Sequence, residues 1–221
     1  MERESTLELN VPRGEPTVKL YVFPVAPNPT RLRLYLAEKS AAGATFDIEQ
    51  IMVNLLEGEH RSPEHLARNP LGKLPVLETD DGLFLTDSVA IMHYLEELHP
   101  EPPMYGNTPF ERARGHELER IVDIDVLLPT AYTVHATHSP LGMSPNPAIA
   151  EHFRKRRLTG LTHLENQLGD GRPLLMGDKV SAADCALAAA LQFGRTGQMP
   201  LEDDYKLIAR WDAAFRERDS A

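Results

Sequence analysis

Two neighbouring segments, Asn69-Pro70-Leu71-Gly72-Lys73-Leu74-Pro75-Val76-Leu77 and Thr86-Asp87-Ser88-Val89-Ala90-Ile91, set the architecture of this chain. Pro75-Val76-Leu77-Glu78 and Leu83-Phe84-Leu85 are short runs of strand formers, and Asp80-Asp81-Gly82 between them is turn chemistry, so they pair as a hairpin. The hairpin runs directly into a helix over 87–98 that carries Ile91, Leu95 and Leu98 on one face. Asp87 and Ser88 fall where strand gives way to helix. That position offers unpaired backbone N–H groups and the positive end of the helix dipole, which suits an anion.

Upstream, Val18 to Phe23 is rich in strand formers and is closed by Pro24. Asn28-Pro29 pairs a favoured N-cap with a favoured first helical residue, so a helix is expected from about residue 29 to 40. A second strand is expected over 46–53 and a short helix before the hairpin. The order is β-α-β-α-β-β-α. Residues 1–17 are polar, contain Pro12 and Pro16, and are expected to be a loose leader. Residues 99–108 hold Pro100, Pro102, Pro103 and Gly106 and are expected to be a linker. Beyond it the periodicity becomes helical throughout, with stretches at 110–136, 148–168, 181–193 and 205–216. An α/β region over 18–98 followed by an all-α region over 109–221 implies two domains.

The 221 residues include 42% apolar and 25% charged residues, the balance of a folded globular chain. There are 23 basic and 33 acidic residues, a net charge of −10, and both halves are acidic. A groove that neutralises nucleic-acid phosphates is therefore not expected. No run of 18 apolar residues is present, so no membrane span is expected, and Met1 to Ser5 has no apolar signal core. Cys185 is the single cysteine, which excludes a Cys-x-x-Cys redox pair within the chain. These features point to a cytoplasmic setting.

Three motifs, in order, resemble one family. Lys19-Leu20-Tyr21, Pro27-Asn28-Pro29-Thr30-Arg31 and Leu36-Ala37-Glu38-Lys39 resemble the opening of cytosolic glutathione S-transferases. Asn69 to Leu77 with Thr86 to Ile91 resembles their glutathione-binding core, and Gly177-Asp178-Lys179-Val180-Ser181-Ala182-Ala183-Asp184 their C-terminal capping motif. The resemblance covers about residues 18 to 216. It implies a thioredoxin-like N-terminal domain, an all-helical C-terminal domain, a homodimer, and glutathione as cosubstrate.

By this resemblance the Leu74–Pro75 bond is cis and Leu74 pairs strand-like with the cysteine backbone of glutathione. Ser88 takes the γ-glutamyl carboxylate and Asp87 attracts the ammonium, although both also suit simple N-capping. Asp87 stands where the family usually has Glu. His60, at a theta-like spacing, and Lys73 are candidates for the glycine carboxylate. The thiol must react as thiolate, and a thiol with pKa near 8.5 is only a few per cent ionised at neutral pH. Ala26 occupies the position of the usual Ser or Cys activator and can donate nothing. Asn28 is the leading substitute, as in nu-like members, with Thr30 and the first helical N–H groups next. Tyr21 is expected to be buried in the first strand.

Ser181 to Asp184 is a capping box with Asp in the place of Glu. Cys185, in an apolar run, is expected to be a buried neutral thiol. His116 and Arg120 share a face of the helix that lines the electrophile pocket in the family; Tyr132, His135 and His138 follow. No carboxylate or cysteine completes a ligand set among them, so no metal is expected. The expected function is conjugation of glutathione to a small electrophile. The alternatives are disulfide reduction, ether cleavage or isomerisation on the same fold, or a glutathione-binding module without turnover.

Overall fold

The computed structural model describes residues 18–220, so the 1–17 leader lies outside the described residues. Four strands form one sheet in the order β2-β1-β3-β4. β1 (Val18–Val22) runs parallel to β2 (Ile48–Met52), pairing Val18 with Ile48 and Val22 with Met52. β3 (Val76–Glu78) lies antiparallel to β1, with Leu20 opposite Leu77, and β4 (Phe84–Leu85) closes the hairpin. The parallel pair needs a crossover, which α1 (Pro27–Ala41) supplies. α2 (Pro63–Arg68) precedes the hairpin, and α3 (Ser88–Leu98) leaves it to pack on α1.

From Pro109 the described chain is helical. It comprises α4 (Pro109–Val122), α5 (Leu128–Thr137), α6 (Pro147–Gln167), α7 (Ala182–Thr196) and α8 (Lys206–Arg216). α7 is buried along most of its length, and its Ser181–Asp184 capping box forms as the sequence implies. The apolar core runs without a break from Leu20, Tyr35 and Ile91 to Leu161, Leu187 and Trp211. No helix among the described residues is long and apolar enough to cross a membrane.

Two elements differ from expectation. The helix expected from residue 29 begins at Pro27, with Ala26 at the cap and no side-chain cap hydrogen bond. The single helix expected over 110–136 is broken by a π-helical turn at Asp123–Leu127. Pro129 explains the break: it has no N–H to give the Asp125 carbonyl four residues back, and its ring would collide there. The wider turn relieves this, and α6 exploits it. A side chain at Gly160 would put Cβ 2.4 Å from the Asp125 carbonyl oxygen, so only glycine allows this approach.

Candidate glutathione site

The first turn of α1 is short of donors. Pro27 and Pro29 have no N–H. The Ala26 N–H donates to the Phe23 carbonyl at 3.1 Å and the Thr30 N–H to the Ala26 carbonyl at 3.0 Å. The Thr30 hydroxyl donates to the Pro24 carbonyl at 2.9 Å and is 95% buried with its residue. Asn28, at the second helical position, is left with its backbone N–H and its side-chain NH₂. The earlier expectation that Asn28 caps its own helix is corrected by this register, because the cap has moved to Ala26. Thr30 is committed to closing the loop. Tyr21, buried as expected, donates its hydroxyl to Glu78 Oε2 at 2.6 Å; burial, then that bond, pushes its pKa up to about 12.

Downstream, two loops meet. The Leu74–Pro75 peptide is cis. Among the described residues neither the N–H nor the carbonyl of Leu74 has a hydrogen-bond partner. The loop before it is pinned from within, since Asn69 Nδ2 donates to the Lys73 carbonyl at 2.9 Å. Gly72 has φ of 59°, and a Cβ there would lie 2.9 Å from the His60 carbonyl oxygen. This glycine, one residue before Lys73, thus lets the Asn69–Leu74 loop lie against the turn at Glu59–Arg61. The Lys73 side chain is exposed. His60 Nδ1 is buried without a partner, and burial, followed by the charges of Arg61 and His65, lowers the pKa of this imidazole.

At the third corner Asp87 caps α3, its Oδ1 accepting from the N–H groups of Val89 at 3.0 Å and Ala90 at 3.1 Å. Ser88, 2% exposed, accepts at Oγ from Arg31 Nε at 2.8 Å and keeps its own hydroxyl proton. Arg31 is equally buried, and its Nη1 donates to Asp123 Oδ1 at 2.8 Å. Asp123 Oδ2 in turn accepts from Arg120 Nη1 at 2.7 Å. Arg31 therefore ties Ser88 to the helical domain, a role that sequence reasoning missed. Its signal was a permanent charge one turn ahead of Leu34 and Tyr35, on the buried side of α1.

The remaining candidates scatter. Cys185 is fully buried and burial raises its thiol pKa far above the ordinary value, as expected of a neutral thiol. Tyr132 stacks on Phe153 at 4.4 Å. His135 lies beside Ser139 Oγ at 3.0 Å and burial lowers its pKa. His138 is exposed, and Arg120 faces solvent while His116 turns toward α3.

A thioredoxin-like domain with a cis-proline loop beside two helix N-termini, joined to an all-helical domain, defines a glutathione-transferase-like protein. The family model for the glutathione S-transferase N-terminal domain matches residues 16–97, and that for the C-terminal domain matches residues 146–213. The chain belongs to the glutathione S-transferase family. It is 30% identical over 207 residues to glutathione S-transferase 2 of Saccharomyces cerevisiae, covering 91% of this chain and 86% of that one. Its structure matches the crystal structure of Gtt2 from Saccharomyces cerevisiae with a TM-score of 0.81 at 30% identity, over 91% of this chain and 97% of that chain. It also matches a maleyl pyruvate isomerase, a bacterial glutathione S-transferase in the zeta class, with a TM-score of 0.75 at 29% identity, over 91% of this chain and 93% of that one.

Proposed function

We propose that this protein binds reduced glutathione across the cis-proline loop and the two helix N-termini, and that Asn28 stabilises the thiolate for attack on a small electrophile. Leu74 offers an unpaired backbone N–H and carbonyl to the cysteine of the tripeptide. Ser88, held by Arg31, and the free N–H groups of α3 receive the γ-glutamyl carboxylate, and the second oxygen of Asp87 faces the ammonium. His60 and Lys73 serve the glycine end. The thiol loses its proton to solvent, sulfur bonds to the electrophilic carbon, and the leaving group departs with the electron pair. The observation that carries this reading is the donor shortage at Ala26–Thr30, which leaves Asn28 with the free N–H groups of that turn. Lowering a thiol pKa by two units needs about 2.7 kcal/mol of anion stabilisation. One or two hydrogen bonds to a charged sulfur, at about 1.5–3 kcal/mol each, supply it.

A theta- or nu-like assignment rests on His60 and Asn28. Homodimerisation belongs to the same reading, supported by exposed Leu83 before β4, Phe84 on β4, Leu98 at the end of α3 and Phe110 on α4. Similarity to the zeta-class maleyl pyruvate isomerase supports a second outcome on the same site, a glutathione-dependent isomerisation. Binding to immobilised glutathione by wild type, with loss in Ser88→Ala, tests the common core. No affinity in wild type defeats both outcomes. Turnover of an activated aryl halide against isomerisation of a cis-enedione acid then separates transferase from isomerase.

A further inference from the structure

Away from the cis-proline loop, three metal-ligating side chains converge between the two domains. His93 comes from α3, and His116 and Glu119 from α4; one donor atom from each lies within 4.8 Å of the other two. His93 Nε2 is 3.4 Å from Glu119 Oε2. Two ligands bound tetrahedrally at about 2.0–2.1 Å sit roughly 3.3 Å apart, so this pair already has the spacing of a shared ion. His116 stands one helical turn before Glu119 and so shares its face. Its ring packs 4.6 Å from His93 and 4.4 Å from Tyr105. Its Nδ1 is nevertheless buried without a hydrogen-bond partner. Gly115 permits this fit, since a Cβ there would lie 2.5 Å from the Tyr105 carbonyl oxygen.

The charges ask for a cation. Glu119 is fully buried, and its other oxygen accepts from the Tyr105 hydroxyl at 3.1 Å. Among the described residues its ion-pair partner is His93, which hydrogen-bonds it and is a cation only when protonated; no lysine or arginine stands beside it. A buried carboxylate without a cationic partner is expensive. His93 and His116 open on a cleft of about 480 Å³ whose walls include Glu96, Glu97 and Glu101. Arg112 is the basic residue of that wall, and its guanidinium donates to the Asn107 carbonyl instead.

We propose that His93, His116 and Glu119 bind a divalent metal ion of the zinc type. Two imidazoles and one carboxylate are a ligand set for such an ion, with the fourth position open to the cleft. The ion draws the third donor inward and clamps α3 of the thioredoxin-like domain to α4 of the helical domain. The site is separate from the glutathione groove: His93 lies five residues past Ser88, about 7.5 Å along α3. The sequence holds part of this set, His116 and Glu119 three apart on one helix, and the expectation of no metal missed it because the third ligand arrives from another domain.

The test titrates untagged, chelator-stripped full-length protein with Co²⁺ or Zn²⁺, without glutathione. One equivalent should bind, with the visible absorption of low-coordinate Co²⁺. At an ion concentration of 100 times Kd the thermal midpoint should rise by about 5–10 °C. His93→Ala and His116→Ala should each weaken binding by more than the roughly 10–100-fold typical of outer-shell changes, while His135→Ala binds as wild type. Absence of saturable binding, or unchanged binding in His93→Ala, overturns the proposal. The His93 side chain is 41% exposed, so that variant carries the test even if His116→Ala fails to fold.

Discussion

Burial and the nearby charges of Arg61 and His65 hold the His60 imidazole below the usual histidine range, so it is neutral at pH 7. A carboxylate bound beside it favours the protonated ring. Affinity for a carboxylate ligand should therefore rise as pH falls below neutral and the His60 ring takes up its proton. S-methylglutathione has no ionisable thiol and isolates this effect. Calorimetric titration should show tighter binding at the lower pH in wild type and a flat profile in His60→Gln; equal slopes would remove His60 from the site. The sequence shows what such side chains can offer: Ala26 donates nothing, and the Asn28 amide has two N–H donors. The place of Arg31 was not legible there, because a charged helix residue normally points to water, and its burial depends on Ser88 and Asp123 arriving from distant segments.

Among the elements, α7 depends most on one side chain. Asp184 is fully buried. It accepts from the Leu175 N–H at 2.9 Å, the Ser181 N–H at 2.9 Å, the Ser181 hydroxyl at 2.6 Å and the Trp211 indole at 3.1 Å. Burial raises its carboxyl pKa, while these donors hold it down. Asp184→Ala would strand the donors, and denaturant unfolding should show a loss of about 3–5 kcal/mol. A loss below about 1 kcal/mol would contradict this account. The capping box was readable because it is local, and so was the hairpin, where turn residues sit between strand formers. Element boundaries were less readable. The start of α1 slipped by one proline, since Pro27 and Pro29 are both acceptable in a first turn. The π-turn needed two facts at once, the missing Pro129 N–H and a glycine on α6 that could pack against the freed carbonyl.

The molecule as a whole shares one apolar core between its two architectures. Ion pairs cross the same boundary. Glu38 on α1 takes Arg218 in two bonds of 2.6 and 2.8 Å, while inside the α/β region Lys39 Nζ lies 2.6 Å from Glu96 Oε2 and donates to the linker's Pro102 carbonyl at 2.9 Å. Arg31–Asp123 adds a further tie beneath Ser88. The two-domain organisation was visible in the change of periodicity, but this union was not, because it lies in pairs separated by long stretches of chain. Such coupling predicts one cooperative unfolding event. Trp211 is the single tryptophan and reports on the helical domain. Its fluorescence transition should coincide with loss of glutathione binding, which reports on the other domain. Two resolved transitions would show that the shared core does not couple them.

The central claim is that Asn28 replaces the missing hydroxyl or thiol. The ultraviolet absorbance of the thiolate, followed against pH for glutathione bound to wild type and to Asn28→Ala, tests it directly. Wild type should hold the bound thiol well below its free value near 8.5. Asn28→Ala should raise it by about 1–2 units, the worth of one hydrogen bond to a charged group. An identical titration in the two proteins would contradict the account and take thiol activation away from Asn28.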